Sequence, residues 1–268
     1  MNNGVSRFAN LINYRYLYTD LIVTVMKSFK FFAFAMVLLL ALACNNSGKV
    51  VLPQLEPFVY ETDEEGSHSV RISYQRIVNT EDNDIFAKIE RQNYINSFFN
   101  DSEECDDVVI DLEATAKSIA DEYASYAYEY GPVCWYSMDQ TSFFVRDNTV
   151  LCYETLIESY TGGAHGGSSL WYECFDLATG AIYDFSYLYD GEWGSAMREL
   201  VYAKLIADKV LLIESVEELP PFRSATLTDS GVVIIYQPYE VACFAAGIIS
   251  VEVTDEEIVA VGAPLLWE

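Results

Sequence analysis

Few residues in the chain have the type and spacing to do chemistry. There are two histidines, His68 and His165, so a site built on three imidazoles is excluded. His165 lies in Tyr160-Thr161-Gly162-Gly163-Ala164-His165-Gly166, a loop whose glycines permit positive φ and close approach of backbone. Two readings stay open for it. One is a ligand-facing loop that presents the imidazole beside the backbone N–H groups around Gly163 and Gly166. The other is a turn between strands that the histidine ties down by hydrogen bonding. No Gly-Lys-Ser/Thr follows, so the loop is not a phosphate-binding P-loop. Cys152 and Cys174 flank His165, but both fall in expected strands, where cysteine behaves as a small buried apolar residue. No basic neighbour would lower either thiol pKa, so Cys–His catalysis is not expected. If the hairpin turns about Gly163, Cys152 and Cys174 oppose each other, and theirs is the one disulfide the spacing names.

A second stretch is Val233-Ile234-Ile235-Tyr236-Gln237-Pro238-Tyr239-Glu240-Val241-Ala242, continuing through Phe244-Ala245-Ala246-Gly247. Pro238 cannot donate to a strand ladder, so Tyr239 and Glu240 should begin an excursion from the sheet that closes at Gly247. Val241, Ala242, Phe244 and Ala245 make that excursion too apolar to hang in water, and it should fold against the body. The expectation is that both loops share one edge and that His165, Tyr239 and Glu240 line a recognition surface. The competing explanation is that Tyr239 and Glu240 satisfy backbone groups in the bend. Tyr123, Tyr126, Tyr128 and Tyr130 suit an aromatic glycan platform or simple helix packing. His68 is isolated in an acidic turn. Asp63-Glu64-Glu65 and Asp106-Asp107 lack the spaced oxygen ligands and glycine of a calcium loop. No metal site and no cofactor is expected.

The elements that must position these residues can be read from periodicity. Residues 58–62 and 69–78 read as strands, with Val70, Ile72, Tyr74, Ile77 and Val78 nearly alternating with polar partners. Thr80-Glu81-Asp82-Asn83 reads as a helix start, and Ile85, Ile89, Ile95 and Phe99 give that helix an apolar face. Leu112, Ala116, Ile119, Ala120, Tyr123 and Ala127 mark a second helix, ended by Gly131-Pro132. Strands follow at 133–147, 149–160 and 168–177, the first pair turning at Asp147-Asn148. A third helix spans about 194–213. Two strands flank Thr228-Asp229-Ser230-Gly231, and Ile248 to Val253 supplies the last. Hairpins with segregated helices predict an α+β fold with antiparallel sheets, helices packed on them and two small subdomains, 58–150 and 151–268.

The chain has 268 residues and a formal net charge of −26, with 51% hydrophobic residues. That is too apolar for intrinsic disorder despite the charge. Acidity of this degree argues against nucleic acid, whose phosphates are bound by basic side chains. Residues 1–43 read as an address rather than structure. Met26-Lys27-Ser28-Phe29-Lys30 is a short basic region, and Phe31 to Ala43 is an apolar stretch too short to span a bilayer comfortably but suited to a signal-peptide core. Ala41-Leu42-Ala43-Cys44 looks like a bacterial lipobox, which implies cleavage before Cys44 and lipidation of its thiol. Residues 44–57 would then be a lipid-anchored tether. Of the six cysteines, lipidation of Cys44 leaves an odd number, so at least one thiol stays unpaired within the monomer.

The two loop-bearing stretches, together with Phe175-Asp176-Leu177-Ala178-Thr179-Gly180-Ala181-Ile182, resemble the paired extracellular domains of RsiV-type anti-sigma factors and PdaC-type peptidoglycan deacetylases. The likeness covers about residues 58–258. It implies an accessory, ligand-facing unit outside the membrane, which in RsiV-like proteins recognises lysozyme and in PdaC-like proteins accompanies a separate catalytic domain. This chain carries no recognisable deacetylase motif. The function expected is a non-catalytic, periplasm-facing envelope lipoprotein that binds or senses a cell-wall ligand, either a glycan fragment or a cell-wall-active protein such as lysozyme. A structural or assembly lipoprotein with an envelope protein partner is the alternative, and an unrecognised carboxylate-based hydrolase stands behind both.

Overall fold

A computed structural model describes residues 51–268, apart from 66, 82, 100–107, 132, 208–212 and 268. The expected signal segment 1–43, the lipobox Cys44 and the first part of the tether lie outside the described residues. The fold is mixed α+β, with eight strands in two sheets and five α-helices among the described residues. The first sheet is β1 (Leu55–Glu64), β2 (His68–Ile77), β3 (Cys134–Val145), β4 (Val150–Tyr160) and β5 (Gly167–Asp176), in that spatial order. Neighbours are antiparallel except β2 and β3, which run parallel. A parallel pair needs a long crossover, and helices α1 (Asp84–Phe98) and α2 (Leu112–Tyr130) lie on it. The second sheet is β6 (Ser224–Leu227), β7 (Gly231–Tyr236) and β8 (Ile249–Thr254), antiparallel throughout. Helices α3 (Ser186–Asp190), α4 (Gly194–Ile206) and α5 (Asp255–Ala260) complete the chain.

Local chemistry explains the boundaries. The Asn83 side chain accepts hydrogen bonds from the N–H groups of Ile85 and Phe86 at 3.0 and 3.1 Å, satisfying orphan donors of the first helical turn. Asp111 does the same for Ala114 at 2.9 Å. Thr254 and Glu257 form a reciprocal capping box at α5. Two expectations need correction. The tether was expected to run to residue 57, but β1 begins at Leu55. Its proline, Pro57, is tolerated because β1 is an edge strand with no ladder to donate to on one side. The boundary expected at residue 150 falls at the β3–β4 hairpin, so a hydrogen-bonded ladder from Val145↔Val150 to Trp135↔Tyr160 runs across it. Leu52–Glu268 accordingly forms one compact unit.

Three buried clusters hold this unit together. Val70, Ile72 and Tyr74 of β2 and Met138 of β3 pack on Leu112, Ala116, Ala120 and Tyr123 of α2. Leu151, Tyr153 and Phe175 pack on Phe86 and Ile89 of α1. From the opposite face, Val150, Cys152 and Cys174 join Leu227, Val232, Ile234 and Val251 of the second sheet and Met197 and Val201 of α4. Val150 to Tyr153 is therefore buried without alternation, because that end of β4 is covered on both faces. Each fully buried side chain of this size stabilises by roughly 1.5–3 kcal/mol relative to exposure. Among the described residues no helix is long and apolar enough to cross a membrane.

Candidate functional site

The strand ends bring the two loops together. β4 and β5 pair with Ser159 opposite Gly167 and Cys152 opposite Cys174, leaving residues 160–166 as the connection. Gly162 and Gly163 take φ of 106° and 96°, values an L side chain adopts only under strain. Gly166 serves differently: a Cβ there would meet the Ser159 carbonyl oxygen at 2.6 Å, so the strands could not close. The Tyr160 hydroxyl donates to the Gly163 carbonyl at 2.9 Å, and His165 Nδ1 sits 2.9 Å from the Gly166 carbonyl. These bonds hold the exposed imidazole over the end of the sheet.

The second loop leaves β7 at Tyr236. The Glu240 N–H donates to the Gln237 carbonyl at 3.1 Å, Pro238 stands at the second position and Tyr239 takes φ of 74° at the third. That is the arrangement of a type II turn, where the third position favours glycine. Val241 and Ala242 are then buried, so the excursion folds against the body as its apolar content predicts. The Gln237 side chain clamps it to β5 by accepting from the Leu170 N–H at 3.0 Å and donating to the Leu170 carbonyl at 2.7 Å. Nothing in the sequence pattern singled out Gln237; an amide is the one neutral side chain that can copy a strand neighbour in both roles.

Three rings meet where the loops touch. His165 stacks on Phe244 with centroids 4.1 Å apart and planes at 23°. The Tyr239 hydroxyl lies 3.5 Å from His165 Nε2, and Tyr239 and Phe244 are 5.6 Å apart. Tyr239 is 58% exposed. The structure thus places His165 and Tyr239 side by side, while Glu240 turns inward and its carboxylate accepts from the Gln237 N–H at 2.6 Å. For Glu240 the bend explanation describes what its carboxylate does. Sequence reasoning counted Phe244 only as an apolar member of the excursion; its position one ring away from the histidine could not be read from spacing.

The remaining candidates have structural surroundings. His68 is buried, with Ser67 Oγ at 3.1 Å and Glu64 at 3.7 Å. Cys152 and Cys174 are free thiols with sulfurs 2.8 Å apart. Hydrogen bonding to Cys174 and burial push the Cys152 thiol well above its ordinary range, so it stays protonated. Glu90 was not flagged by sequence. Its carboxylate accepts from the Ile77 N–H at 2.6 Å and the Tyr74 hydroxyl at 3.4 Å, and burial raises its pKa to about 7. Gln140 accepts from the Gln75 N–H at 3.1 Å. The two side chains together take up the β2 donors beyond the last β2–β3 pair, Ser73↔Asp139. Glu173, raised to about 8 by burial and hydrogen-bonded to Asn96, lines a separate cleft of about 630 Å³ with Trp171, Tyr183 and Asp184.

A family model described as a protein of unknown function (DUF3298) matches residues 201–256, from within α4 to the first turn of α5. That span holds the Tyr239 loop but not the His165 loop. A DUF3298 family protein from Bacteroides fragilis is 17% identical, with 77% of this chain and 93% of that chain covered at a TM-score of 0.61. A second, from Pseudomonas aeruginosa, is 16% identical over 78% of this chain and 94% of that one, with a TM-score of 0.53. At such identities the likeness concerns the fold. No curated protein matches the chain.

Proposed function

We propose that this chain is a non-catalytic envelope lipoprotein, anchored through Cys44, that binds or senses a cell-wall ligand at the surface formed by its two loops. The observation that carries the reading is the contact of His165 with Tyr239 and Phe244. Residues 74 positions apart in sequence are brought to one exposed spot, and an aromatic residue occupies a turn position that favours glycine. Backbone strain of this sort, where an unstrained residue would serve the fold equally well, is a mark of a site shaped for contact. Exposed aromatic rings with a polar tip are also the side chains that dominate recognition surfaces. The resemblance to the ligand-facing domains of RsiV-type and PdaC-type proteins supports the same reading, and the net charge of −26 would draw in a basic partner such as lysozyme.

The test uses immobilised full chain, purified lysozyme and soluble peptidoglycan fragments. The expected outcome is retention of one of the two by the unaltered chain and at least a tenfold loss, about 1.4 kcal/mol, with His165→Ala or Phe244→Ala at unchanged melting temperature. Capture of neither ligand, or capture indifferent to both substitutions, would assign the two loops to fold maintenance alone.

A further inference from the structure

Beside the His165 loop lies a groove whose chemistry differs from that of the loop. It runs between α2 and the helix-facing side of β3 and β4, encloses about 940 Å³, and has Thr161, Gly162 and Gly163 in its wall. Tyr123, Tyr126 and Tyr130 follow one another at three- and four-residue spacing, which puts them along one side of α2, and Tyr136 faces them from β3. Tyr123 and Tyr126 meet edge-on with centroids 5.4 Å apart. Tyr123 and Tyr136 are likewise 5.4 Å apart, and Tyr126 and Tyr130 6.3 Å. Packing alone does not account for the set, because Tyr130 is 61% exposed. Tyr128, 95% exposed, is not part of the lining.

The lining residues include one carboxylate, Glu122, and no Lys, Arg or His. The Tyr126 hydroxyl donates to that carboxylate, which fixes both side chains at the groove wall. Ring faces carry partial negative charge and attract cations. Three of them, those of Tyr126, Tyr130 and Tyr136, stand beside the carboxylate, Tyr123 itself being buried in the helix–sheet core; in a chain with net charge −26 they favour an ammonium group and repel an anion. Ser97, Ser159 and Thr161 add hydroxyls to the same wall. A volume of this order holds several sugar rings rather than one ion, and open aromatic walls with hydroxyls suit a polyhydroxyl chain better than one projecting protein side chain.

We infer that this groove is a saccharide subsite that prefers amine-bearing glycan over neutral glycan and rejects anionic glycan. The inference rests on the cell-wall reading above and names the ligand class for the groove next to that surface. Titration calorimetry of the full chain uses three probes: a glucosamine tetramer, its N-acetylated counterpart and an oligogalacturonide of equal length. At low salt the glucosamine tetramer is expected to bind about tenfold tighter than the N-acetylated one, with no heat from the galacturonide. Glu122→Gln retains an acceptor for the Tyr126 hydroxyl and should erase the preference for the glucosamine tetramer over the N-acetylated one. Tyr126→Ala should weaken both, and Tyr126→Phe, which keeps the ring, should retain most of the N-acetylated affinity and so separate ring loss from misfolding. Equal binding of galacturonide, a preference that survives Glu122→Gln, or no saccharide binding by a chain with a native melting transition would each overturn the inference. Lysozyme capture that depends on Tyr126 in the absence of saccharide binding would make the groove a protein-docking site and also overturn it. Loss of the groove result with His165-dependent capture intact leaves the loop surface standing, so the two readings fail separately.

Discussion

Tyr239 joins local strain to exposed chemistry in a single residue. Its φ of 74° costs a non-glycine residue on the order of 1–2 kcal/mol, and its ring is half in solvent beside His165 and Phe244. Glycine would relieve the strain but lose more chain entropy on folding, about 0.5–1 kcal/mol. Tyr239→Gly is therefore expected to leave stability unchanged or raise it by up to about 1.5 kcal/mol, while lowering ligand capture as far as His165→Ala does. Tyr239→Ala keeps the strain and loses the ring, so it should be the less stable of the two. Urea unfolding alongside the capture assay reads both quantities. A clear loss of stability in Tyr239→Gly would mean that the ring is retained for packing. At the same scale the sequence was informative about Cys152 and Cys174. Symmetry about Gly163 predicts that they face each other, and the register pairs them, because a hairpin's register follows from its turn.

Between elements, the sheets are joined by an ion pair that no sequence pattern announced. Arg146, Asp147 and Asn148 all take positive φ in the β3–β4 turn. The Arg146 guanidinium donates to both carboxylate oxygens of Asp255 at 2.7 and 2.9 Å, and its backbone N–H donates to Asp229 at 2.7 Å. Asp255 begins α5 directly after β8, so this fork ties the first sheet's turn to the end of the second. Both side chains are largely buried, 15% and 20% exposed. A partly buried bidentate pair lies between the exposed and fully buried cases. Arg146→Ala should cost on the order of 2 kcal/mol, because it leaves Asp255 buried without its partner. Chemical denaturation should show a lower midpoint with an unchanged slope; a midpoint that does not move would mean that the apolar contacts between the sheets suffice.

Over the whole molecule, acidity and burial act together on stability. Glu90 and Glu173 have folded pKa values raised to about 7 and about 8 from an ordinary 4.5, both mainly by burial. A carboxyl whose folded pKa is raised binds more protons folded than unfolded between those values, so stability falls as pH rises there. The contribution is complete below about pH 4.5, declines through pH 7 for Glu90 and through pH 8 for Glu173, and is level above that. Repulsion among the excess carboxylates runs in the same direction. Glu257 opposes it weakly at the acid end, since its bond from Lys204 lowers its pKa. The melting temperature should therefore be higher near pH 5 than near pH 8.5. Glu90→Gln combined with Glu173→Gln should flatten the profile, since the amide oxygen at position 90 can still accept from the Ile77 N–H. A profile of unchanged steepness in the double variant would place the effect in the surface charge instead.

What the sequence determined by itself is what depends on neighbours along the chain. Alternation in β2, the apolar stripe of α2, a helix start within Thr80 to Asn83, the turn before Gly231 and the antiparallel β4–β5 register are all fixed within some twenty residues. Each was legible because its physics is local. The excursion after Pro238 was legible for the same reason: a missing N–H donor and an apolar run allow few outcomes. Tertiary structure alone decided the rest. It set β2 parallel to β3 across two helices, which bound five strands into one sheet and carried that sheet through the expected boundary at residue 150. It put Gln140 and Glu90 against the unpaired donors of β2, paired Arg146 with Asp255, and laid Phe244 on His165. Those contacts join residues far apart in the chain. Their partners are chosen by which surfaces are left over once local elements have packed, and a single sequence carries no periodic signal of that choice.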